Sequence, residues 1–538
     1  MMKPSPSRTR ALGRPAPSSA VWLSLVALFL VACSAPAQHE PASQSSTPER
    51  LHVIVLHTND VHGQVLPRRA TWIRADEPPM VGGIPRVAAY VNAIREEARR
   101  EQAALFVVDA GDWFQGTPEG QIEKGLPMLR VMAEVGYDAM AVGNHELDHG
   151  VSHFASMLDE VDLPAVCSNV VNPATGQRIG WAAPWRIVER EGLRVAFVGL
   201  LATETPEITH PDARALEFVD PSVAFAAARR QLEEHDVDWV VPLTHIGLRA
   251  DEALARAHPD VELVIGGHSH TYLKEGRQVG QTMICQVGSK ASAVGRVDLW
   301  FDRSTGTVEE LTVRTVDLDT PVPDTWRNPQ VEHLCDSLVA ESERRMNVVV
   351  GTLEVALRRG GGTRSSTAGN LVADVCRERT GADVALMNRG GIRRDVPAGP
   401  VTRRDVFELL PFDNHLVTVT MAGAELDSIL RRAVEDDSHS GVEVSGLVIE
   451  YEHAGDIPRY AGAVIGGSPL EPRRSYSVTV NSFMAQGGDD YLTPETGSKR
   501  VEDPIFMRDA LEEELVKKGT VTAKSEQRYR LVERGASR

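Results

Sequence analysis

Five short polar motifs in the first half of the chain each stand where an apolar run ends. They are residues 57–63 (HTNDVHG), 111–112 (GD), 143–148 (GNHELD), 244–245 (TH) and 266–270 (GGHSH). In open α/β sheets, ligand-binding groups lie in the loops that follow the carboxyl ends of the strands. The arrangement therefore predicts a sheet-based fold that gathers the five motifs into one site.

The apolar runs alternate with segments of helical periodicity. Strands are predicted at residues 51–56, 104–108, 139–142, 193–199, 239–243 and 263–265. Amphipathic helices are predicted at residues 84–100 and 221–235, and further strands at residues 283–318 complete this part of the chain. Such alternation is typical of the α/β fold class. We expect a second, mixed α/β domain to follow it.

The amino terminus resembles a bacterial lipoprotein signal. Four basic residues, from Lys3 to Arg14, precede an apolar stretch at residues 20–32 that is short for a membrane span but suits an export signal. The stretch closes with Leu-Val-Ala-Cys, which resembles a lipobox and would make Cys33 the lipid-modified first residue of the mature chain. We therefore expect an exported protein, periplasmic or on the cell surface, anchored to a membrane at Cys33. The alternative is an ordinary signal peptide that contains a cysteine.

Composition divides the chain into five segments. They are a signal peptide at residues 1–32, a flexible tether at 33–50, a first domain at 51–320, a linker with a connecting helix at 321–347, and a second domain at 348–535. The tether is rich in Ala, Pro, Ser and Gln, and three prolines lie between residues 317 and 329. The linker is therefore our candidate for a hinge between the domains.

The net charge and the cysteine content bear on the binding partners of the protein and on its disulfide bonds. The net charge of −18 argues against a nucleic-acid polymer as a partner, because such binding needs a basic surface. A small anionic substrate stays compatible with this charge, since bound metal ions supply a local positive field. Four cysteines follow Cys33, at residues 167, 285, 335 and 376. We expect them to be buried free thiols, because a large core does not need disulfides.

The polar motifs offer the ligands that hard divalent cations prefer, namely carboxylate, amide oxygen and imidazole. Asp60 and His62 are two residues apart on an extended segment, so both side chains point the same way. Asp112 follows an apolar run and a glycine, which places a carboxylate at a strand tip, where it can bridge two ions. The remaining candidate ligands are Asn144, His245, His268 and His270. Zn, Mn, Mg and Ca all suit parts of this mixed set.

These motifs resemble those of the calcineurin-like metallophosphoesterases. Within them, residues 50–535 are similar to the secreted bacterial family of 5′-nucleotidases, UDP-sugar hydrolases and 2′,3′-cyclic phosphodiesterases. The resemblance implies a four-layer α/β/β/α sandwich followed by a mixed α/β substrate-binding domain. It implies one metal held by Asp60, His62, Asp112 and His270, and a second held by Asp112, Asn144, His245 and His268. By the same resemblance, His145 is a catalytic cation beside the phosphate, and Asp148 orients it.

Three loops of the second half resemble the substrate-binding loops of that family. They are residues 388–393 (NRGGIR), 411–414 (PFDN) and 481–489 (NSFMAQGGD). The resemblance implies that Phe412 and Phe483 clamp a nucleobase, and that Asp489 holds the ribose. It also implies substrate contacts from Arg364, Asn388, Arg393 and Asn414.

The chain departs from the family pattern at two places. The family has two arginines before the helix that begins near Thr367, whereas here only Arg364 stands at an expected position. Arg358 and Arg359 are the candidates to substitute for the other. Arg389 also replaces the small residue that is usual in the glycine loop. We expect both changes to alter the charge around the substrate.

The sequence therefore predicts an exported, metal-dependent phosphohydrolase that acts on nucleotides, as a 5′-nucleotidase with UDP-sugar hydrolase as a further activity. The expected chemistry is in-line attack on phosphorus by a metal-activated hydroxide. One alternative keeps the metals but cleaves 2′,3′-cyclic nucleotides and 3′-nucleotides, and another is a thiosulfohydrolase of related fold. A different class altogether is a non-catalytic surface lipoprotein that binds nucleotides.

Overall fold

The computed structural model describes residues 50–70, 76–319, 322–360, 363–436, 441–455, 457–493 and 495–532. The predicted signal peptide, Cys33 and nearly all of the tether lie outside these residues. The described residues all belong to one compact unit, Glu49–Arg538. The predicted domain boundaries at 320, 347 and 535 stay predictions.

The first of two six-stranded sheets carries the amino-terminal strand. In spatial order its strands are Thr307–Asp317, Ala293–Asp302, Arg50–Thr58, Ala104–Asp109, Ala139–Ala141 and Ala165–Val166. The last four run parallel to one another, and the first two are antiparallel additions at one edge. The motifs at Asp60, Asp112 and Asn144 all follow carboxyl ends of parallel strands in this sheet.

The second six-stranded sheet has the same mixed character. In spatial order its strands are Arg277–Val279, Thr282–Cys285, Leu263–Gly266, Trp239–His245, Leu193–Leu201 and Trp185–Arg190. The inner four are parallel, and each edge strand is antiparallel. The motifs at His245 and His268 stand at the carboxyl ends of two of the parallel strands.

The two sheets pack face to face between two layers of helices. The core between the sheets joins Val53 and Phe106 of the first to Phe197 and Leu243 of the second. The outer face of the first sheet is covered by the helices Ile84–Glu101, Leu126–Val135, Val151–Glu160 and Pro329–Met346. The outer face of the second sheet is covered by Pro221–Leu232 and Leu248–Ala257. The predicted α/β/β/α sandwich is confirmed.

The carboxyl-terminal part is mixed α/β, as predicted. Its largest sheet contains, in spatial order, Val442–Ser445, Val384–Asn388, Ser475–Asn481, His415–Ala422 and Lys499–Phe506. Two smaller sheets contain Gly399–Thr402, Val349–Leu353 and Thr520–Val521, and Ser468–Pro469, Ile457–Ile465, Leu447–Ala454 and Tyr529–Leu531. The helices are Thr367–Thr380, Arg403–Leu409, Gly423–Glu435, Ser482–Ala485 and Met507–Lys518.

The structure also shows the state of the cysteines and the character of the helices. Cys167, Cys285, Cys335 and Cys376 are buried free thiols, in agreement with the expectation that no disulfide is needed. Among the described residues, no helix combines the length and apolar character that crossing a bilayer requires.

Candidate metal centre and substrate pocket

The candidate metal ligands lie where the carboxyl edges of the two sheets meet. In the first sheet, the Asp60 amide donates to the Gly111 carbonyl at 2.9 Å. Between the sheets, His245 Nδ1 donates to the Ala110 carbonyl at 2.6 Å. These bonds tie together the loops that follow three strands, so the motifs share one site.

One set of side chains comprises Asp60, His62, Asp112 and His270. One donor atom from each of the four lies within 4.8 Å of all the others. His270 Nε2 is 3.2 Å from Asp60 Oδ1 and 2.8 Å from His62 Nε2. His62 Nδ1 donates to the Gln115 carbonyl at 2.7 Å, so Nε2 of the neutral ring keeps a lone pair facing the set. Two carboxylates and two imidazoles thus converge as the ligands of one cation do.

A second set, Asn144, His245 and His268, lies beside the same Asp112. His245 Nε2 is 3.2 Å from Asp112 Oδ2, and His268 Nδ1 is 2.9 Å from Asn144 Oδ1. The rings of His245 and His268 have their centroids 5.1 Å apart. Since His62 Nε2 is also 3.8 Å from Asp112 Oδ2, that carboxylate lies within reach of both sets.

The backbone is strained at these ligands. The φ angle is positive at five of the seven, namely Asp60 (50°), His62 (49°), Asp112 (62°), His268 (77°) and His270 (51°). Such a conformation costs about 1–3 kcal/mol per residue and persists only where the surroundings enforce it. Close packing contributes at Asp112, because a Cβ atom on Gly143 would lie 2.2 Å from Asp112 Oδ1. The fold therefore gives up stability to bring these side chains together.

The charge balance of the two sets fits a bound cation. His245 Nε2 is buried and makes no well-aligned hydrogen bond within the described part of the chain, although Asp112 Oδ2 lies 3.2 Å away. Burial lowers the pKa of His245, yet the adjacent Asp112 carboxylate outweighs burial and raises it to about 10. Burial also lowers the pKa of His62 to about 4, so that ring is neutral at physiological pH. A positive charge next to Asp112 is therefore favourable. A bound divalent cation would provide that charge while His245 stays neutral.

His145 and Asp148 form a separate pair at the edge of the ligand sets. His145 Nδ1 lies 2.6 Å from Asp148 Oδ2, and Asp148 Oδ1 accepts a hydrogen bond from the Thr209 hydroxyl at 2.9 Å. The His145 amide donates to Asp112 Oδ1 at 3.0 Å. Burial lowers the pKa of His145, but the Asp148 carboxylate outweighs it and raises the pKa well above its usual value. The raised pKa favours the protonated form of this imidazole, and its catalytic role stays a prediction.

Two glutamates support the ligand loops, and sequence reasoning missed both roles. The buried Glu146 carboxylate accepts hydrogen bonds from the amides of Asp112 (3.0 Å), Trp113 (2.7 Å) and Gly143 (2.7 Å), so it joins two ligand loops. Glu204 Oε1 lies 3.3 Å from His268 Nε2, which directs Nδ1 of that ring toward Asn144. Glu146 stands inside a recognised motif, whereas Glu204 is brought close only by tertiary folding.

A cavity of about 620 Å³ joins the ligand sets to the carboxyl-terminal part of the chain. From the ligand side it is lined by His62, His145 and His270, and from the other side by Arg393, Phe412, Asn414 and Phe483. The two phenylalanine side chains are 48% and 43% exposed, which is unusual for large apolar groups. A Cβ atom on Gly488 would lie 2.4 Å from the Phe483 ring, so this glycine lets the ring pack on the backbone.

Three of the predicted substrate residues do not line this cavity, namely Arg364, Asn388 and Asp489. Asn388 is buried and donates to Asp489 Oδ2 at 2.9 Å, while its own amide oxygen accepts from Asn481 at 2.7 Å. Arg364 is exposed on the loop that precedes the helix Thr367–Thr380. Their roles toward substrate stay predictions.

Arg389 does not change the charge around the substrate, so that expectation was wrong. Its guanidinium is buried, with Nε 3.0 Å from Glu443 Oε1, and it lies over the Tyr529 ring at 5.1 Å. Nη2 donates to the Arg364 carbonyl at 3.1 Å. Arg389 is therefore neutralised internally, and it supports the loop that carries Arg364. The two arginines considered as substitutes, Arg358 and Arg359, both pair with Asp395.

Asp413, in the loop of residues 411–414, ties the carboxyl-terminal part of the chain to the loop that contains Gln115. The buried Asp413 carboxylate contacts the Arg508 guanidinium, and it accepts hydrogen bonds from the side-chain amides of Gln115 and Gln121. Gln115 is the residue whose carbonyl orients His62. The two halves of the cavity are thus held together by buried polar contacts.

Comparison with known proteins places the chain in a family. Residues 54–272 match the calcineurin-like phosphoesterase domain, and residues 349–495 match the carboxyl-terminal domain of 5′-nucleotidases. The chain belongs to the 5′-nucleotidase family. It is a hydrolase of that family, with a His/Asp group that suits a metal ion.

Individual members of the 5′-nucleotidase family align over nearly the whole chain. The chain is 26% identical to protein UshA of Escherichia coli over 521 residues, which cover 88% of this chain and 91% of UshA. It is 25% identical to the 5′-nucleotidase of Vibrio cholerae over 515 residues, which cover 87% and 91%. The crystal structure of a 5′-nucleotidase precursor from Thermus thermophilus matches 90% of this chain and 100% of its own, with 27% identity and a TM-score of 0.63.

Proposed function

We propose that the protein removes phosphate from 5′-nucleotides, with UDP-sugars as further substrates, using two divalent metal ions. The observation that carries this proposal is the single cavity that brings the His/Asp ligands and two exposed phenylalanines together. Asp60, His62, Asp112 and His270 would hold one ion, and Asp112, Asn144, His245 and His268 the other. When bound, the ions would act as Lewis acids on the phosphate and lower the pKa of water toward neutrality.

The remaining side chains of the cavity bind the substrate and stabilise the charge that develops during the reaction. The His145 cation, oriented by Asp148, stabilises the negative charge that builds on the phosphoryl and leaving-group oxygens. Phe412 and Phe483 stack on the faces of the base, and Arg393, whose guanidinium is 5.9 Å from the Phe412 ring, binds oxygens of the ribose or phosphate. The base and the phosphate are thereby held at opposite ends of one cavity.

A substrate panel tests the assignment. Metal-reconstituted protein is assayed with AMP, UDP-glucose, 2′,3′-cyclic AMP and bis-p-nitrophenyl phosphate. We expect the highest kcat/KM for AMP, followed by UDP-glucose. A preference for cyclic AMP would replace the proposal with a cyclic phosphodiesterase, and inertness toward every ester would favour a non-catalytic nucleotide-binding protein.

Phe483→Ala should separate base binding from chemistry. Loss of one stacking partner is expected to weaken the contribution of the base by about 1–3 kcal/mol, so KM for AMP rises while kcat changes little. Hydrolysis of p-nitrophenyl phosphate, which has no nucleobase, should stay within about threefold of wild type, since a small aryl group forms little of the stack. Equal losses on both substrates would contradict the base-clamp assignment.

We further propose export and membrane anchoring at Cys33. Support comes from the basic leader, the apolar stretch at residues 20–32 and the Leu-Val-Ala-Cys sequence that ends it. Cys33→Ser should move the protein from the membrane fraction to the soluble fraction, and lipid labelling should be lost. Unchanged membrane partition of the variant would contradict lipidation at this residue.

A further inference from the structure

Lys290 is a cation on the metal side of the substrate cavity. It follows the strand Thr282–Cys285 of the second sheet and lines the cavity together with His62, His145 and His270. The only other lysine or arginine among the described lining residues is Arg393, which lies beside the predicted base clamp. Lys290 therefore adds a positive side chain to the cavity that the candidate metal ligands also line.

The backbone fixes Lys290 relative to a metal ligand. Its amide donates to the Asp60 carbonyl at 2.7 Å, and its φ angle is +61°, an uncommon conformation for lysine. Asn59 braces the same loop, because its side-chain amide donates to the Gly288 carbonyl at 2.7 Å and its side-chain oxygen accepts from the Val287 amide at 2.9 Å. The loop is thus bonded to the segment that carries Asp60.

The Lys290 ammonium has no acidic partner within the described part of the chain. The acidic side chains that line the cavity are already engaged, since Asp148 pairs with His145 and Asp413 with Arg508. A half-buried ammonium in a cavity whose acidic side chains are already paired is an arrangement that favours an anion.

We propose that Lys290 binds the doubly charged terminal phosphate of monoester substrates and the inorganic phosphate that they release. The proposal rests on the function proposed above and deepens it. A phosphate monoester carries close to two negative charges at neutral pH, whereas a diester carries one. An extra lysine at the phosphate end therefore makes Lys290 a residue that selects monoesters over diesters.

The test compares Lys290→Gln, Lys290→Arg and Lys274→Gln in the metal-loaded protein. Lys274 is an exposed lysine of the same domain outside the cavity, and its replacement is the matched control. We expect Lys290→Gln to lower kcat/KM for AMP by about 10- to 100-fold, the range for loss of a charge-assisted hydrogen bond, and that for bis-p-nitrophenyl phosphate by less than about threefold. Lys290→Arg should restore most of the activity toward AMP, and Lys274→Gln should match wild type.

Inorganic phosphate provides a readout that does not depend on turnover. By titration calorimetry of the metal-loaded protein, Lys290→Gln should weaken phosphate binding by about 10- to 100-fold, and Lys274→Gln should not. Unchanged phosphate affinity, or equal losses on AMP and on the diester, would overturn the assignment of Lys290. A wild-type protein that binds phosphate through Lys290 but hydrolyses no nucleotide would instead overturn the proposed function.

Discussion

Asp112→Asn is expected to lower phosphate release from AMP by about a thousandfold or more. Asp112 is the carboxylate within reach of both His62 and His245, at 3.8 and 3.2 Å, so its loss would remove a ligand from both of the proposed metal positions. Lewis-acid stabilisation by the ions supplies several kcal/mol, and each 1.36 kcal/mol corresponds to about a factor of ten in rate. Metal content, measured by plasma mass spectrometry, should fall together with activity.

The matched control for this variant is Asp109→Asn. Asp109 is also a fully buried carboxylate near the end of the same strand, but it accepts hydrogen bonds from the Thr58 hydroxyl (2.5 Å) and the Gly111 amide (2.9 Å). Burial raises its pKa to about 7, so the amide replaces a group that is already partly neutral. Metal content should be retained in Asp109→Asn. Full metal content and activity in Asp112→Asn would contradict the bridging role.

His145→Ala is expected to lower kcat for AMP by about 10²- to 10⁴-fold without loss of metal. The imidazole is held by Asp148 rather than by either ligand set, so its removal takes away a positive charge beside the phosphate but no metal ligand. The variant should therefore separate catalysis from metal binding, which Asp112→Asn does not. Metal content and kcat are measured on the same preparation.

His149→Ala is the control for a general effect of histidine loss in this loop. His149 stacks on Phe114, with ring centroids 6.1 Å apart, and it does not line the substrate cavity. We expect its activity to stay within about threefold of wild type, since no hydrogen bond to reacting groups is lost. If His145→Ala loses its metals, or if both variants lose kcat equally, His145 is not the separate catalytic cation.

The strands of the sandwich could be predicted because each is a local apolar pattern. The predicted strand at 51–56 is observed as Arg50–Thr58, and the predicted helix at 84–100 as Ile84–Glu101. The edge strand Trp185–Arg190 was missed, because its burial alternates irregularly and its pairing with Leu193–Leu201 is a tertiary contact. Periodicity thus identifies buried strands better than exposed edges.

The ligand-bearing loops could also be predicted, since each motif directly follows its strand. The positive φ angles at Asp60, Asp112 and His268 could not, because they depend on packing between loops that lie far apart in the chain. Sequence reasoning also missed Lys290. Its position beside the candidate metal ligands depends on the hydrogen bond from its amide to the Asp60 carbonyl, which joins distant parts of the chain.

Charged residues of the second half were harder to interpret from the sequence. Arg389 was expected beside the substrate, but the partner that neutralises it, Glu443, stands on a strand that pairs with the one before Arg389. Asp413 lies between two residues predicted to contact the substrate, yet it faces Gln115 and Gln121 of the first half. Spacing within a motif does not show which of its side chains point into the cavity.

The most direct test is phosphate release from AMP by protein stripped of metal with a chelator and then reconstituted. We expect the stripped protein to be inactive, and activity to rise with divalent metal added until two ions are bound per chain. Lys274→Gln should behave as wild type, and Asp112→Asn should stay inactive at every metal concentration. Full AMP hydrolysis by the stripped protein, or a reconstituted protein that binds two ions and releases no phosphate, would contradict the account.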